Sequence, residues 1–325
     1  MAFQTTNKYT TNITLTLKQK NLVFTTTSHV NINLKYQSVV PKNPMRKKPM
    51  SHKSILVHLA NDDEHQTRLD VALRLAKQNN AHISALFITT PIGMPVEVYG
   101  RGASVQYLLD ATKSAENRAD ELEKEFKDIC HRENISHNWI VEEGDHISLL
   151  ADHAHAADII IVSQPTFEHF EDRFRTRLVE EVTLLSGLPC LMIPRGFDAS
   201  KDIGKRMMVA WKGTREALRA VRDNLSELKK AEKVFLLTIQ PETEDALSLS
   251  EVRNYLKRHN IEAETVKIAQ TENSIGQTIQ DAALAQSCDV IVCGAYGHSR
   301  LREMLLGGVT KHLVKEAKIP VIMSH

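Results

Sequence analysis

Asp289-Val-Ile-Val-Cys293-Gly294-Ala-Tyr-Gly297-His-Ser-Arg-Leu-Arg-Glu-Met-Leu-Leu-Gly307-Gly308-Val-Thr310 is the stretch whose reading decides the fold. It opens as a short apolar run, the mark of a strand buried on both faces, turns on a glycine and leads into a helix. A glycine at the end of such a strand lets backbone N–H groups turn outward with no Cβ in the way. Three glycines spread over the loop, followed by a helix N-terminus, can surround an anion with N–H donors. In open α/β sheets ligands sit beyond the carboxyl ends of the strands, where the strand order reverses. If the first and fourth strands of this half are neighbours, loops 211–214 and 294–310 border that crevice.

The same pattern occurs twice. Asp158-Ile-Ile-Ile-Val162 lies 131 positions before Asp289-Val-Ile-Val-Cys293, and that offset also superposes Pro189-Cys-Leu-Met192 on Pro320-Val-Ile-Met323. At the first strands the offset is 152, which pairs Val57 with Val209. The difference places an insertion in the first half, at the Pro/Gly-bearing stretch 90–103 and the helix behind it. Strands are expected at 54–59, 82–88, 137–141, 158–162 and 189–193, with helices at 64–78, 105–132, 147–156 and 176–185 between them. The second half repeats the order, with strands at 206–211, 233–239, 263–268, 289–293 and 319–323. Helices are expected there at 214–230, 248–259 and 275–285, with one more after the glycine loop. Alternating strands and helices imply parallel βαβ units. The expected fold is α/β, two tandem doubly wound five-stranded parallel sheets, with domains at 51–197 and 204–325.

Composition narrows the function classes. The chain has 325 residues, 41 basic against 40 acidic, so no general electrostatic case for nucleic acid arises. No apolar run approaches the roughly 20 residues that span a bilayer. Cys130, Cys190, Cys288 and Cys293 form no C-x-x-C pair, and Cys190 and Cys293, in apolar runs, read as core hydrophobes, which suits a reducing, cytoplasmic setting. Residues 1–50 are rich in Thr, Asn and Lys, and the first acidic residue is Asp62. That segment reads as a disordered or non-native extension, with an organelle transit peptide or a start at Met45 or Met50 as the other readings.

With Gly294, Gly297 and Gly307 at G-x-x-G-x9-G spacing, the chain resembles the universal stress protein family, whose nucleotide-binding members carry G-x-x-G-x9-G-[ST] at this turn. The resemblance covers about 54–324. It implies a Rossmann-like sheet of the adenine nucleotide alpha hydrolase type and an ATP site, with Mg2+, in the second domain. The residues that would serve it are Gly294, Gly297, His298, Gly307, Gly308, Val309, Thr310, Trp211, Lys212 and Gly213. Gly308 stands where the family has Ser or Thr, leaving Thr310 as the nearest hydroxyl. Relatives read V-x-V-D-G-S at the first strand, against Val209-Ala-Trp211-Lys212-Gly213-Thr214 here, so Lys212 occupies the acid's place. It reads first as a solvated turn lysine, with phosphate contact as the other reading. Trp211 is core or a stacking surface. His298, Arg300 and Arg302 either counter a triphosphate or are ordinary surface residues.

In the first half Ser163-Gln-Pro165-Thr166 and Thr176-Arg177 replace the glycines, so no ATP is expected there. His146, His153 and His155 read as a solvated helix rather than a zinc site. No catalytic residues can be assembled, and slow hydrolysis of bound nucleotide is the most turnover the loops allow. The apolar terminal strands 188–193 and 319–323 lie at the sheet edge in this family, and pairing them would give an intramolecular pseudo-dimer. A homodimer and an unidentified protein partner complete the expectation. The alternative function is a nucleotide-independent protein-interaction module of the same fold.

Overall fold

Every strand expected from the sequence is present, and the edges of the two expected sheets meet. In the computed structural model the strands of the first half are β1 (Ser54–Ala60), β2 (His82–Ile88), β3 (His137–Glu142), β4 (Ile159–Ser163) and β5 (Cys190–Ile193). Those of the second half are β6 (Arg206–Ala210), β7 (Lys233–Ile239), β8 (Ala263–Ile268), β9 (Val290–Gly294) and β10 (Val321–Ser324). They form one ten-stranded sheet of order β3-β2-β1-β4-β5-β10-β9-β6-β7-β8. The structure describes residues 52–90, 103–165, 172–239, 243–269, 272–296 and 308–325, all within one unit, Lys47–His325. The N-terminal extension therefore lies outside the described residues.

All pairings are parallel except one. β5 and β10 run antiparallel, with Met192 opposite Val321, Leu191 opposite Ile322 and Cys190 opposite Met323. Leu191, Met192, Ile322 and Met323 are buried at this seam. At about 1.5–3 kcal/mol for each buried side chain, the four contribute on the order of 10 kcal/mol. Separating the halves would expose two apolar strand edges, so the pairing expected between the terminal strands is made within the chain.

The helices are α1 (His65–Asn79), α2 (Ala103–Glu133), α3 (His146–His153), α4 (Asp172–Leu185), α5 (Arg215–Asp223), α6 (Leu225–Lys230), α7 (Thr243–Arg258), α8 (Ile275–Ala285) and α9 (Gly308–Glu316). One face of the sheet packs on α1, α2, α5 and α7, through Leu69, Phe126, Val221 and Leu256 among others. The other packs on α3, α4, α8 and α9, through Leu150, Val182, Ala283 and Leu313. Strand residues alternate between these layers: Ile55, Val57 and Leu59 point to the first, Leu56 to the second. Both layers run across the seam.

Local signals set the ends. Asn80, Asn134 and Asn260 stand just beyond α1, α2 and α7 with φ of 48°, 54° and 60°, the left-handed conformation Asn tolerates best after Gly. Thr214 and Ser274 cap α5 and α8 through Ala217 N–H and Gln277 N–H. The single helix expected at 214–230 is instead broken at Asn224, which is fully buried and whose Nδ2 donates to the Ala220 carbonyl. That bond gives the backbone an alternative partner and starts a second short helix. The duplication repeats in hardware. Asp158 Oδ2 accepts from the N–H groups of Lys53 and Ser54, and Asp289 accepts from Gly204, Lys205 and Arg206.

Candidate functional site

In the second half β6 and β9 are neighbours, so the order reverses between them and their carboxyl ends border a crevice. Trp211, Lys212 and Gly213 follow β6, and Thr214 then caps α5. Gly294 ends β9 at the closest approach. A Cβ there would lie 2.5 Å from Ala217 N, 2.5 Å from the Glu216 carbonyl carbon and 2.8 Å from Glu216 Cβ. Only hydrogen fits between the strand end and the first turn of α5. Beyond it Ala295 N–H donates to the Ser324 carbonyl at 2.8 Å, and Tyr296 adopts φ 60°. Gly297, His298, Arg300, Arg302 and Gly307 lie outside the described residues.

The chain re-enters at Gly308, the first residue of α9, where a Cβ would meet nothing within 4 Å. Val309 is half-buried and Thr310 buried, so the hydroxyl nearest the missing Ser/Thr is drawn into the protein. Lys212 and Gly213 are exposed. Trp211 is buried, and its Nε1–H donates to Ser248 Oγ at 3.1 Å. All four cysteines are buried, and burial pushes the thiols up, to about 11 for Cys130 and Cys288 and about 12 for Cys190 and Cys293. None is a thiolate nucleophile at neutral pH.

The corresponding crevice of the first half, between β1 and β4, is filled by the protein's own side chains. Arg68, on α1, is 1% exposed. Its guanidinium donates to both Asp62 oxygens (3.1 and 2.6 Å), to Ser163 Oγ (2.9 Å) and to the His58 carbonyl (2.7 Å). Ser163 stands where the 131-residue offset puts Gly294, and Arg68 where the 152-residue offset puts Ala220. At this strand end the first half thus sets a serine and a fixed guanidinium where the second half brings a glycine against the first turn of α5. Burial pushes the Asp62 carboxyl up, but the charge and hydrogen bonds of Arg68 and the Glu64 N–H outweigh it and hold it below the ordinary carboxylate range.

Beside Arg68 lies a buried histidine pair. His146 Nε2 faces the Thr90 carbonyl at 2.7 Å and must donate, so its Nδ1 accepts from His58 Nε2 at 2.8 Å. Among the described residues His58 Nδ1 is then a buried acceptor without a partner. Burial lowers both imidazoles below their ordinary value. The Arg68 charge lowers them further, while the Thr90 carbonyl, Asp145 and Asp62 partly restore His146. The three histidines expected to face solvent together therefore separate. His146 is buried in this pair, His153 Nε2 meets Glu142 at 2.9 Å, and His155 Nδ1 meets the Asp152 carbonyl at 2.7 Å.

For a histidine whose folded value is depressed, the unfolded chain binds the extra proton as pH falls. Stability is full above about 6.5 and is lost below it, by up to about 1.4 kcal/mol per pH unit for each histidine. Urea unfolding between pH 7.5 and 5 should show this decline, and a His58→Leu, His146→Leu double variant should make it shallower, leaving the share of His52, whose imidazole burial also lowers.

The sequence reading missed this network. Its signals were a histidine inside the apolar run Ser54–Ala60 and an arginine where the repeat has Ala220.

Residues 204–325 match the model of the universal stress protein family. Among solved structures, a universal stress protein from Archaeoglobus fulgidus DSM 4304 superposes with a TM-score of 0.65 at 14% identity, over 84% of this chain and 98% of that one. A functionally unknown protein from Pseudomonas aeruginosa PAO1 superposes with a TM-score of 0.51 at 15% identity, over 84% of this chain and 92% of that one. At these identities the likeness is one of fold. No curated protein matches the sequence.

Proposed function

We propose, from a universal stress protein family domain at residues 204–325, that the second half of this chain holds an adenine nucleotide and the first half holds none. The observation that carries this reading is the meeting of β9 and α5 at Gly294, where the strand order reverses; the chain returns from this loop at an exposed helix start, Gly308. Glycine N–H groups and the α9 N-terminus would take the phosphates, ATP with Mg2+ being the expected form. Gly297, His298, Gly307, Val309, Thr310, Trp211, Lys212 and Gly213 complete the proposed site. No catalytic group belongs to it. The chain would act in a stress response as a nucleotide-dependent binding protein, with an unidentified protein partner and a further dimer as part of the same proposal. Four buried thiols suit a cytoplasmic setting.

Titration calorimetry with ATP and magnesium tests the site. Gly308→Asp puts a carboxylate at the first residue of α9, where it helps the helix but repels phosphate. Affinity should fall at least about tenfold, about 1.4 kcal/mol, with the unfolding midpoint unchanged. Gly297→Val should do the same by blocking the turn. Binding identical to wild type in both variants would exclude this loop.

A second reading, a nucleotide-independent interaction module, is favoured by the first-half crevice filled with Arg68 and by the exposed Lys212 in the acid's place. Stoichiometric nucleotide released on denaturing the purified protein would contradict it.

A further inference from the structure

A concave site lies in the groove between α5 and α7, bordered at one end by the Gly213–Thr214 turn that follows β6. It encloses about 610 Å³, a volume typical of small-ligand sites. Trp211 and Val252 are its buried apolar lining, and Leu218 and Tyr255 are half-buried along it. Because Trp211 Nε1–H is already satisfied by Ser248, the indole offers apolar ring surface and makes no polar demand of a guest. Two cations stand at the rim. Arg215 is engaged by Glu216, with Nε 3.2 Å from Oε1, whereas Arg258 is exposed and forms no ion pair among the described residues. The counterpart of Trp211 in the first half is Leu59, which is fully buried in the core cluster that α2 also joins.

We propose that the α5–α7 groove binds a planar aromatic molecule carrying one anionic group. A flat ring gains contact against Trp211 and Tyr255 at little entropic cost, and a carboxylate, sulfonate or phosphate ester meets the fork of Arg258. Glu251, an exposed carboxylate on the same wall, selects against a second negative charge. Trp211 and Gly213 border both this groove and the proposed nucleotide site, but the remaining lining, Leu218 on α5 and Ser248 to Arg258 on α7, does not depend on the glycine loop.

The chain has two tryptophans, so a Trp139→Phe background leaves the Trp211 indole N–H as a single NMR reporter. Naphthalene-2-sulfonate is the probe and naphthalene-2-sulfonamide its neutral comparator. The sulfonate should shift the Trp211 signal saturably with a micromolar dissociation constant, and the sulfonamide should bind about tenfold more weakly, the loss of one charge-assisted contact. Arg258→Ala, at an exposed position, should weaken the sulfonate by the same factor, and Leu218→Trp should fill the groove and abolish binding. Failure to saturate in the millimolar range would overturn the proposal. So would equal binding to wild type, Arg258→Ala and Leu218→Trp. Displacement of the probe by ATP would overturn the groove's independence from the glycine loop.

Discussion

Replacing Arg68 with alanine is expected to lower the unfolding free energy by about 3 kcal/mol, because it removes a buried guanidinium and leaves the Asp62 carboxylate, only 13% exposed, without its counter-charge. Four acceptors each lose a hydrogen bond at once: both Asp62 oxygens, Ser163 Oγ and the His58 carbonyl, with Asp62 Oδ1 keeping only the Glu64 N–H. In a unit of this size the melting temperature should drop by roughly 10 °C. An Asp62→Ala, Arg68→Met double variant should recover much of the loss, since no unpaired charge remains and the methionine fills most of the volume. If Arg68→Ala melts like wild type, the guanidinium is not buried as described. The pH dependence carries the same information. With the folded Asp62 carboxyl depressed, its stabilisation is full above the unfolded value near 4 and disappears as pH falls through the folded one. The histidine pair loses stability below about 6.5, so acid attacks this network in two successive windows.

Gly294→Val should have a similar effect, a destabilisation of about 3 kcal/mol at the upper end of the range for overpacking. The new Cβ would meet two backbone atoms at 2.5 Å, and backbone cannot rotate aside as a side chain can. Either the end of β9 or the first turn of α5 must move, which disturbs the Thr214 cap and the mouth of the crevice. Urea unfolding should show the loss, and ATP affinity should fall with it. Gly308→Asp separates the two roles, because space around Gly308 is open and only the ligand should notice the change. Wild-type stability in Gly294→Val would show that β9 and α5 do not touch as described.

Much of the fold was legible because both halves repeat one periodicity. Apolar runs such as Lys233–Ile239 and Ser54–Ala60 are found where expected, since parallel strands buried on both faces leave little room for polar residues. The break at Asn224 was hidden, because a buried amide turning back on the Ala220 carbonyl leaves no mark on helical periodicity. The network around Arg68 was hidden for a related reason. An arginine on an amphipathic helix reads as solvent-facing, and its partners come from three separate places in the chain.

Sequence alone determined the α/β alternation, the duplication with its two offsets, and the glycine spacing after β9, because each depends on residues close together along the chain. Tertiary structure decided that the two sheets join through β5 and β10, that Gly294 is pressed against α5, and that a guanidinium fills the first crevice while a groove opens beside Trp211. Those features arise where residues from tens to more than a hundred positions apart compete for the same volume. Local propensity carries no term for that competition.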